Sequence, residues 1–168
     1  PNAHRIMARL AEQQLTPEAR AKVNALLAGA SLADVANCAD AIKKSGWQPS
    51  GPCARFATEP QLHTARWHFA DIDIADEYDP ARHCPAADCV VERIRRLSRD
   101  WNDPASLMYL VHLVGDLHLP LRTTSRNQDR GGSLAVVRYL GGETTLDECW
   151  SQRWSRELTY DEVAAANA

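Results

Sequence analysis

One segment near the middle of the chain, residues 107–120, combines apolar residues with metal-ligand side chains at helical spacing. His112 and Asp116 are four residues apart, so they project from the same face of a helix, one turn above the other. Burying such groups without partners costs about 2–7 kcal/mol for a polar group and more for a charge. A divalent cation that takes both as ligands removes this cost. The segment therefore predicts a buried helix that carries part of a metal site.

The composition is that of an ordinary globular protein. The 168 residues suffice for one domain with a real core, and 45% are hydrophobic while 24% are charged. The net charge of −3 gives no overall attraction to nucleic acid, so polyanion binding must come from a local site or from metal ions. No apolar run reaches the length of a membrane span, and no signal peptide is present, although a mature secreted chain would have lost one.

Five cysteines are many for a small cytosolic domain. Cys84 and Cys89 flank a predicted tight turn and suit a local disulfide, and Cys38 and Cys53 are candidates for a second, which leaves Cys149 as the odd one. A metal role for these residues is the weaker interpretation, because the chain contains no paired CxxC motif. Since disulfides persist in oxidising compartments, we expect a secreted or periplasmic protein.

Hydrophobic periodicity predicts a mainly helical chain. Besides the central helix, which Asp103-Pro104 begins, the predicted helices span residues 3–13, 16–28, 31–43, 86–100 and 145–156, and another begins at 159. Residues 46–60 hold three prolines and two glycines and are predicted to be a loop. Residues 134–140 alternate weakly and are followed by Gly141-Gly142, which predicts a short β-hairpin.

Further candidate metal ligands lie outside the central helix. Asp40 lies on the third predicted helix, His68 follows Trp67, and His4 lies on the first turn of the first helix. Each of these residues alone has an ordinary structural explanation, because most histidines and aspartates are structural. Together with the His112 and Asp116 pair, however, they form a nitrogen and oxygen donor set that suits zinc or a similar first-row metal.

Three groups of residues, in order along the chain, carry a resemblance to a known family. They are Trp67-His68-Phe69, the HxVGDxHxPL pattern at residues 112–121, and Asp129-Arg-Gly-Gly132 followed by the predicted hairpin and Trp150. They resemble the S1/P1 nucleases, which are zinc-dependent single-strand nucleases, and the similarity runs over residues 1–154. The zinc phospholipases C share the fold with looser motifs. The resemblance implies a mainly α, single-domain phospholipase C/P1 nuclease-like fold with a short β-hairpin over residues 1–168.

The resemblance also implies an activity and a set of site residues. Members of that family are secreted, carry three zinc ions in a cleft, cleave the P–O3′ bond of RNA and single-stranded DNA, and often remove 3′-phosphates. One zinc site is implied for Asp40, His68, His112 and Asp116. A second is implied for His4 and the shared Asp116, completed by an N-terminal tryptophan that would precede this chain. Lys43 would steady the phosphate, and Phe69 and Asp71 would contact a base by stacking and through its edge.

The chain departs from the family pattern at the remaining zinc site. The family uses two histidines and an aspartate there, and this chain has Arg122, Asp147 and Ser151. Arginine cannot ligate a metal, and Asp147 alone will not hold zinc. We interpret Arg122 as a phosphate clamp that replaces the lost cation; the alternative is that it forms a salt bridge with Asp147. The family's terminal tryptophan and C-terminal helices have no counterpart in the sequence, so we expect the domain to be incomplete at both ends relative to the family.

Three functions are compatible with these features. The first is a zinc-dependent phosphodiesterase or endonuclease that acts on single-stranded RNA and DNA, with 3′-nucleotidase activity as a further candidate. In it Asp40 would orient or deprotonate the attacking water, while Lys43 and Arg122 would stabilise negative charge. The second is a catalytically impaired, zinc-pinned binding module. The third is a phospholipase C-like esterase, which would need an apolar surface near the cleft, and the sequence shows no obvious exposed apolar stretch there.

Overall fold

The predicted architecture, mainly α with a short β-hairpin, is confirmed by the structure, a computed structural model that describes residues 2–46, 48–57 and 64–153. The α-helices are α1 (Asn2–Gln13), α2 (Pro17–Leu27), α3 (Leu32–Val35), α4 (Cys38–Lys44), α5 (Pro80–His83), α6 (Val90–Leu97), α7 (Pro104–Leu117) and α8 (Leu146–Glu148). Short 3₁₀ helices span Gly51–Phe56, Thr64–His68, Pro85–Ala87 and Pro120–Arg122, and a π-helical turn spans Cys149–Arg153. The strands are β1 (Val136–Tyr139) and β2 (Gly142–Thr145).

Helix α7 is the centre of the fold. The carboxylate of Asp103 accepts hydrogen bonds from the backbone N–H groups of Ala105 and Ser106, and Pro104 occupies the first turn, so the predicted start is confirmed. The helix packs against α1, α3, α4 and α6 and buries both apolar and site residues: Leu107, Met108, Tyr109, His112, Leu113, Gly115 and Asp116. The prediction of a buried central helix is therefore confirmed.

The third predicted helix, residues 31–43, is wrong as a single element. Ser31 and Asp34 form a reciprocal capping box that starts α3, but the chain turns at Ala36 and Asn37 before α4 begins. At this break the carbonyl oxygen of Ala36 faces α7 and lies 2.7 Å from Nδ1 of His112. The interruption therefore supplies an acceptor to the buried histidine, a contact between residues 76 positions apart that local pattern cannot predict.

Three other predicted boundaries also differ from the structure. The helix predicted for residues 86–100 is α6, which is shorter, because Ala86 and Ala87 have φ values of 59° and 53° that an α-helix does not contain. The predicted loop at 46–60 includes a 3₁₀ helix. The helix predicted for 145–156 is α8 followed by the π-helical turn as far as residue 153. Residues 154–156 and the helix predicted from 159 lie outside the described residues.

The predicted hairpin is confirmed, with its turn one residue earlier than predicted. Strands β1 and β2 are antiparallel, and Val136 pairs with Thr145 while Tyr139 pairs with Gly142. Leu140 and Gly141 form the connection with φ values of 50° and 79°, as a two-residue hairpin turn requires. Because Gly142 pairs within the sheet, it belongs to the strand rather than the turn.

Both predicted disulfides are present. Cys38 is bonded to Cys53 and Cys84 to Cys89, while Cys149 is free. The first bond joins α4 to the following 3₁₀ helix, and the second closes the turn before α6. Among the described helices, no single one is long and apolar enough to cross a membrane; one pair, Pro17–Leu27 with Leu32–Lys44, passes by length and composition only when counted together across a 46° bend.

Removal of the Cys38–Cys53 disulfide is expected to lower the free energy of unfolding by about 3 kcal/mol, because the bond closes a loop of 15 residues in the unfolded chain. The measurement is urea unfolding of a Cys38→Ala, Cys53→Ala variant under non-reducing conditions. Cys149→Ala is the matched control and should unfold close to the native midpoint. Equal midpoints for the two variants would contradict the prediction.

Candidate metal centre

The predicted ligands on α7 form the centre of a buried cluster. Oδ2 of Asp116 lies 2.9 Å from Nδ1 of His68 and 3.1 Å from Nε2 of His112, and Oδ1 lies 3.2 Å from Nε2 of His4. Asp116 is 2% exposed and His112 is fully buried. One carboxylate thus contacts three imidazoles that come from three separate parts of the chain.

The spacing within this cluster fits a tetrahedral metal ion. Nδ1 of His68, Nε2 of His112 and Oδ2 of Asp116 form a triangle with sides of 2.9, 3.1 and 3.1 Å. Ligand atoms bonded tetrahedrally to zinc at about 2.0–2.2 Å lie about 3.3–3.6 Å from one another. Oδ1 of Asp40 lies 3.9 Å from Nε2 of His112 and provides a fourth donor. Small adjustments bring these two nitrogens and two oxygens to ligand spacing, so the residues present fit zinc.

His4 defines a second group of donors beside the first. Its imidazole stacks on that of His112, with ring centres 4.5 Å apart, and shares Asp116 with the first group. His4, His112 and Asp116 bring ligand atoms within 4.8 Å of one another, as do Asp40, His68 and His112. Nδ1 of His112 lies 2.7 Å from the carbonyl oxygen of Ala36, an arrangement that leaves Nε2 free to bind a metal.

The electrostatics of the cluster favour the protonation states that metal ligands need. Burial lowers the pKa of His4 and of His68, and this effect outweighs the hydrogen bond that each makes to Asp116. Burial acts to raise the pKa of Asp116, but hydrogen bonds with His112, His4 and His68 hold it well below its ordinary value. An ionised carboxylate and neutral imidazoles are the forms that bind divalent metals.

Asp40 is also held in its ionised form. Burial acts to raise its pKa, but His112 and the ammonium group of Lys43 hold that pKa below the ordinary value. Nζ of Lys43 lies 3.2 Å from Oδ1 of Asp40, within one turn of α4. The lysine therefore lies at the edge of the cluster and supplies a positive charge there.

A cavity of about 600 Å³ adjoins the cluster. Its walls include Lys43, His68 and Arg122, and also Phe69 and Asp71, which the resemblance assigns to base contacts. Phe69 is half-buried and Asp71 is exposed. The structure therefore places all five of these residues around one space large enough for a nucleotide-sized ligand.

Comparison with known proteins identifies the family of the chain. The family model described as S1/P1 Nuclease matches residues 1–166. The chain belongs to the S1/P1 nuclease family. It is also similar to Endonuclease 3 of Arabidopsis thaliana, with 31% identity over 101 residues, which cover 52% of this chain and 34% of that protein. The chain therefore spans about a third of the length of the curated relative that it matches. The recognition of the family from sequence is confirmed, and a nuclease-type hydrolase is the function that membership supports.

Gly115, on α7, contributes to the metal cluster, and the sequence analysis did not identify it. A Cβ atom at this position would lie 2.7 Å from Cδ2 and 3.2 Å from Nε2 of His4, closer than carbon atoms pack. The absent side chain thus provides the space in which His4 approaches Asp116. The sequence signal was a glycine inside an apolar helix, which costs about 1 kcal/mol relative to alanine and therefore indicates a packing or functional reason.

Gly115→Ala is expected to displace His4 and to weaken zinc binding at the second donor group by about 10–100-fold, the range seen when a ligand loses its support. The gain in helix propensity, about 1 kcal/mol, is opposed by overpacking of about 1–3 kcal/mol. Calorimetric zinc titration measures the affinity. Val114→Ala, at an exposed neighbouring position of the same helix, is the control. Native zinc affinity and stoichiometry in Gly115→Ala would show that His4 is not needed there.

Arg122 stands between two carboxylates. Its Nε lies 3.6 Å from Oδ1 of Asp116, and its Nη1 lies 3.7 Å from Oδ1 of Asp147. Both separations are longer than hydrogen bonds, and the side chain is 28% exposed. The guanidinium therefore faces both the metal cluster and the Asp147 carboxylate, a position that suits the phosphate clamp as well as the salt bridge.

The metal-free protein is expected to lose stability as the pH falls below about 6.5. The lowered pKa values keep His4 and His68 neutral in the folded state, whereas unfolded histidines bind protons below about pH 6.5. Their contribution to stability is therefore complete above that pH and is lost towards the lowered pKa values. Urea unfolding of chelator-treated protein at pH 8, 6 and 5 measures this. His68→Gln should show a weaker pH dependence, and His118→Gln, at an exposed position, should match the native chain; the opposite order would contradict the assignment.

Proposed function

We propose that the chain is a zinc-dependent phosphodiesterase that cleaves single-stranded RNA and DNA, with 3′-nucleotidase activity as a further candidate. The observation that carries the proposal is the convergence of three histidines and two aspartates beside a cavity with basic walls. Membership of the S1/P1 nuclease family supports the same chemistry. Two disulfides support a secreted or periplasmic location.

The metal-binding roles follow the two donor groups. Asp40, His68, His112 and Asp116 would hold one zinc, and His4 with the shared Asp116 would provide ligands for a second. When bound, zinc lowers the pKa of a coordinated water to about 7 and so supplies a nucleophile near neutral pH. The lowered pKa values of His4 and His68 favour this binding, because protons compete less for their ring nitrogens near neutrality.

The chain's own charged residues would manage the proton and the developing negative charge. Asp40, kept ionised by its surroundings, can accept a hydrogen bond from the attacking water and orient it. Lys43 lies beside Asp40, and Arg122 faces Asp116, so both can reach the oxygens of a phosphate at the cluster. A guanidinium can donate two parallel hydrogen bonds to a phosphate, which suits Arg122 to the clamp role.

Phe69 and Asp71 would hold the nucleoside part of the substrate. Both line the cavity that His68 and Arg122 also line. Stacking on an aromatic ring tolerates any base, which fits a nuclease without strict sequence preference. The carboxylate of Asp71 can accept hydrogen bonds from the amino groups at a base edge.

A hydrolysis assay with a metal count tests the proposal. Native protein supplied with zinc is incubated with single-stranded DNA, single-stranded RNA and duplex DNA, and bound zinc per chain is measured by native mass spectrometry. We expect two zinc ions per chain and cleavage of both single-stranded substrates well above that of the duplex. Arg138→Gln, on the exposed face of the hairpin, is the control for nonspecific charge effects. Absence of cleavage at every zinc concentration would refute the proposed phosphodiesterase activity.

A zinc-pinned binding module remains the second candidate because Arg122 occupies a position where the family has a metal ligand. In that case one zinc would tie α4, α7 and the 3₁₀ helix Thr64–His68 together without catalysis. The same experiment separates the two functions, since a single bound zinc with no hydrolysis favours the binding module. A phosphate-bearing ligand would then raise the melting temperature without being cleaved.

A phospholipase C-like activity has support from one structural feature. Such an activity needs exposed apolar side chains, and Leu134, Val136 and Leu140, in or just before the hairpin, are 63%, 70% and 79% exposed. The hairpin begins three residues after Ser133, which lines the cavity. Release of phosphate esters from phosphatidylcholine vesicles, with no cleavage of nucleic acid, would favour this activity over the nuclease.

A further inference from the structure

The cavity beside the metal centre has more basic side chains than Lys43 and Arg122, the two to which the proposed hydrolysis assigns a role. Its walls hold five basic side chains and one carboxylate, Asp71, although the whole chain has a net charge of −3. Lys43 and Arg122 contact carboxylates of the metal cluster. The other three basic residues, which we call the outer arginines, are Arg66, Arg82 and Arg130.

Two of the outer arginines are anchored by acids outside the metal cluster. Nε of Arg66 lies 3.9 Å from Oδ2 of Asp88, and Nη2 of Arg82 lies 3.2 Å from Oδ2 of Asp76. Asp88 also accepts a hydrogen bond from Trp67, so it is shared. The two arginine side chains are 57% and 58% exposed. Because a guanidinium has five N–H donors and each contacts one acid, most of their donors remain available to a ligand.

Arg130 has no such anchor. Within the described part of the chain, its side chain makes no ion pair or hydrogen bond, and the neighbouring Asp129 carboxylate is occupied by Ser125 and the backbone N–H of Arg126. The backbone at this point nevertheless packs closely, since a Cβ atom on Gly131 would collide with the carbonyl oxygen of Leu121. The loop therefore packs directly on the segment that carries Arg122 and presents an unpaired cation to the cavity.

Backbone hydrogen bonds join the segments that carry these arginines. The N–H of Ala70 donates to the carbonyl of Arg122 at 2.7 Å, and the N–H of Ser125 donates to that of Ile72 at 2.7 Å. The N–H of Val90, next to the Cys84–Cys89 turn, donates to the carbonyl of Phe69 at 3.2 Å. The cavity walls are thus held together before a ligand arrives, which reduces the entropy lost on binding.

We propose that the outer arginines form a second phosphate subsite, which binds a backbone phosphate adjacent to the scissile one in a single-stranded oligonucleotide. This inference rests on the proposed function, which places the scissile phosphate near Lys43 and Arg122. A 3′-mononucleotide carries one phosphate and leaves the outer arginines without a partner. An oligonucleotide satisfies both sets of cations, so the preferred substrate is an oligonucleotide rather than a 3′-mononucleotide.

The test compares binding of ligands that differ in the number of phosphates. Zinc-loaded protein is titrated with an octathymidylate with hydrolysis-resistant phosphorothioate linkages and with thymidine 3′-phosphorothioate. The variants are Arg82→Gln and Arg130→Gln. Each is expected to weaken octamer binding about tenfold, the scale of one charged hydrogen bond. Each should also reduce the slope of log affinity against log salt by about 0.7, the value for one phosphate contact with a single strand. Arg82→Lys should recover part of the affinity.

Arg126→Gln is the matched control, because Arg126 is exposed in the same loop as Arg130 but does not line the cavity. The subsite is overturned if Arg130→Gln binds the octamer as Arg126→Gln does, or if the native chain binds the octamer no more tightly than the mononucleotide. If the native chain hydrolyses nucleic acid and gives either of these results, the proposed nuclease activity stands and only the subsite is refuted. If the variants lose octamer affinity but the native chain hydrolyses nothing, the subsite is supported and the nuclease activity is refuted. Arg130→Gln breaks no contact among the described residues, so it serves as the decisive variant if Arg82→Gln does not fold.

Discussion

Asp116→Asn is expected to lower zinc affinity by more than about 100-fold, beyond the 10–100-fold loss typical of residues that only support a ligand. Hydrolysis of single-stranded DNA should fall below detection with it. The reason is that this carboxylate contacts His4, His68 and His112 and is shared by both donor groups. An asparagine at this position is neutral and presents an amide N–H₂ group to at least one imidazole. Zinc content after dialysis and cleavage of labelled single strands measure the two effects.

The matched control for this variant is Asp147→Asn. Asp147 lies near Arg122 and is not part of either donor group, so its neutral variant should retain native zinc content. Circular dichroism tests whether Asp116→Asn is folded. If it is not, His68→Gln removes one ligand of the first group and should lose zinc in the same way. Two tightly bound zinc ions in Asp116→Asn would show that this carboxylate is not the shared ligand.

The sequence predicted those parts of the fold that depend on local chemistry. The start of α7 follows from Asp103 and Pro104, and the start of α2 follows from Thr16 and Pro17, whose cap geometry the structure shows. The breaks were missed because they depend on distant contacts. The helix predicted at 31–43 gives way at Ala36, where a carbonyl oxygen meets α7, and the start of α6 is delayed by the disulfide-closed turn before it.

The site shows the same division between local and distant information. His112 and Asp116 could be paired from helical spacing alone. His4 and Asp116 are 112 positions apart, so spacing could not show that they meet, and the assignment of His4 to a second zinc site came from the family resemblance. Gly115 and the outer arginines were not identified, because a glycine's role depends on its neighbour and the arginines lie on separate segments that only the folded backbone joins.

Arg122→Ala is expected to lower kcat/KM on single-stranded DNA by about 100-fold or more, if the guanidinium stabilises negative charge on the phosphate. Its place between Asp116 and Asp147 is the basis for this result, because a fixed cation there restores part of the positive potential that the family obtains from a third zinc. If Arg122 instead only forms a salt bridge with Asp147, Arg122→Ala and Asp147→Asn should have similar small effects on stability and none on kcat/KM.

A double-mutant cycle separates the two roles of Arg122. A clamp predicts that Asp147→Asn retains activity, that Arg122→Ala loses it, and that the double variant behaves as Arg122→Ala. A further variant, Arg122→His with Ser151→Asp, changes the three residues of the lost site to two carboxylates and an imidazole, a donor set suited to zinc. It should bind one more zinc per chain than the native protein by native mass spectrometry. Activity that survives Arg122→Ala but rises with the additional zinc would show that a cation is useful at this position and that the arginine does not supply it. Activity lost in Arg122→Ala and recovered with the additional zinc would show that guanidinium and metal ion are alternative solutions to the same electrostatic requirement.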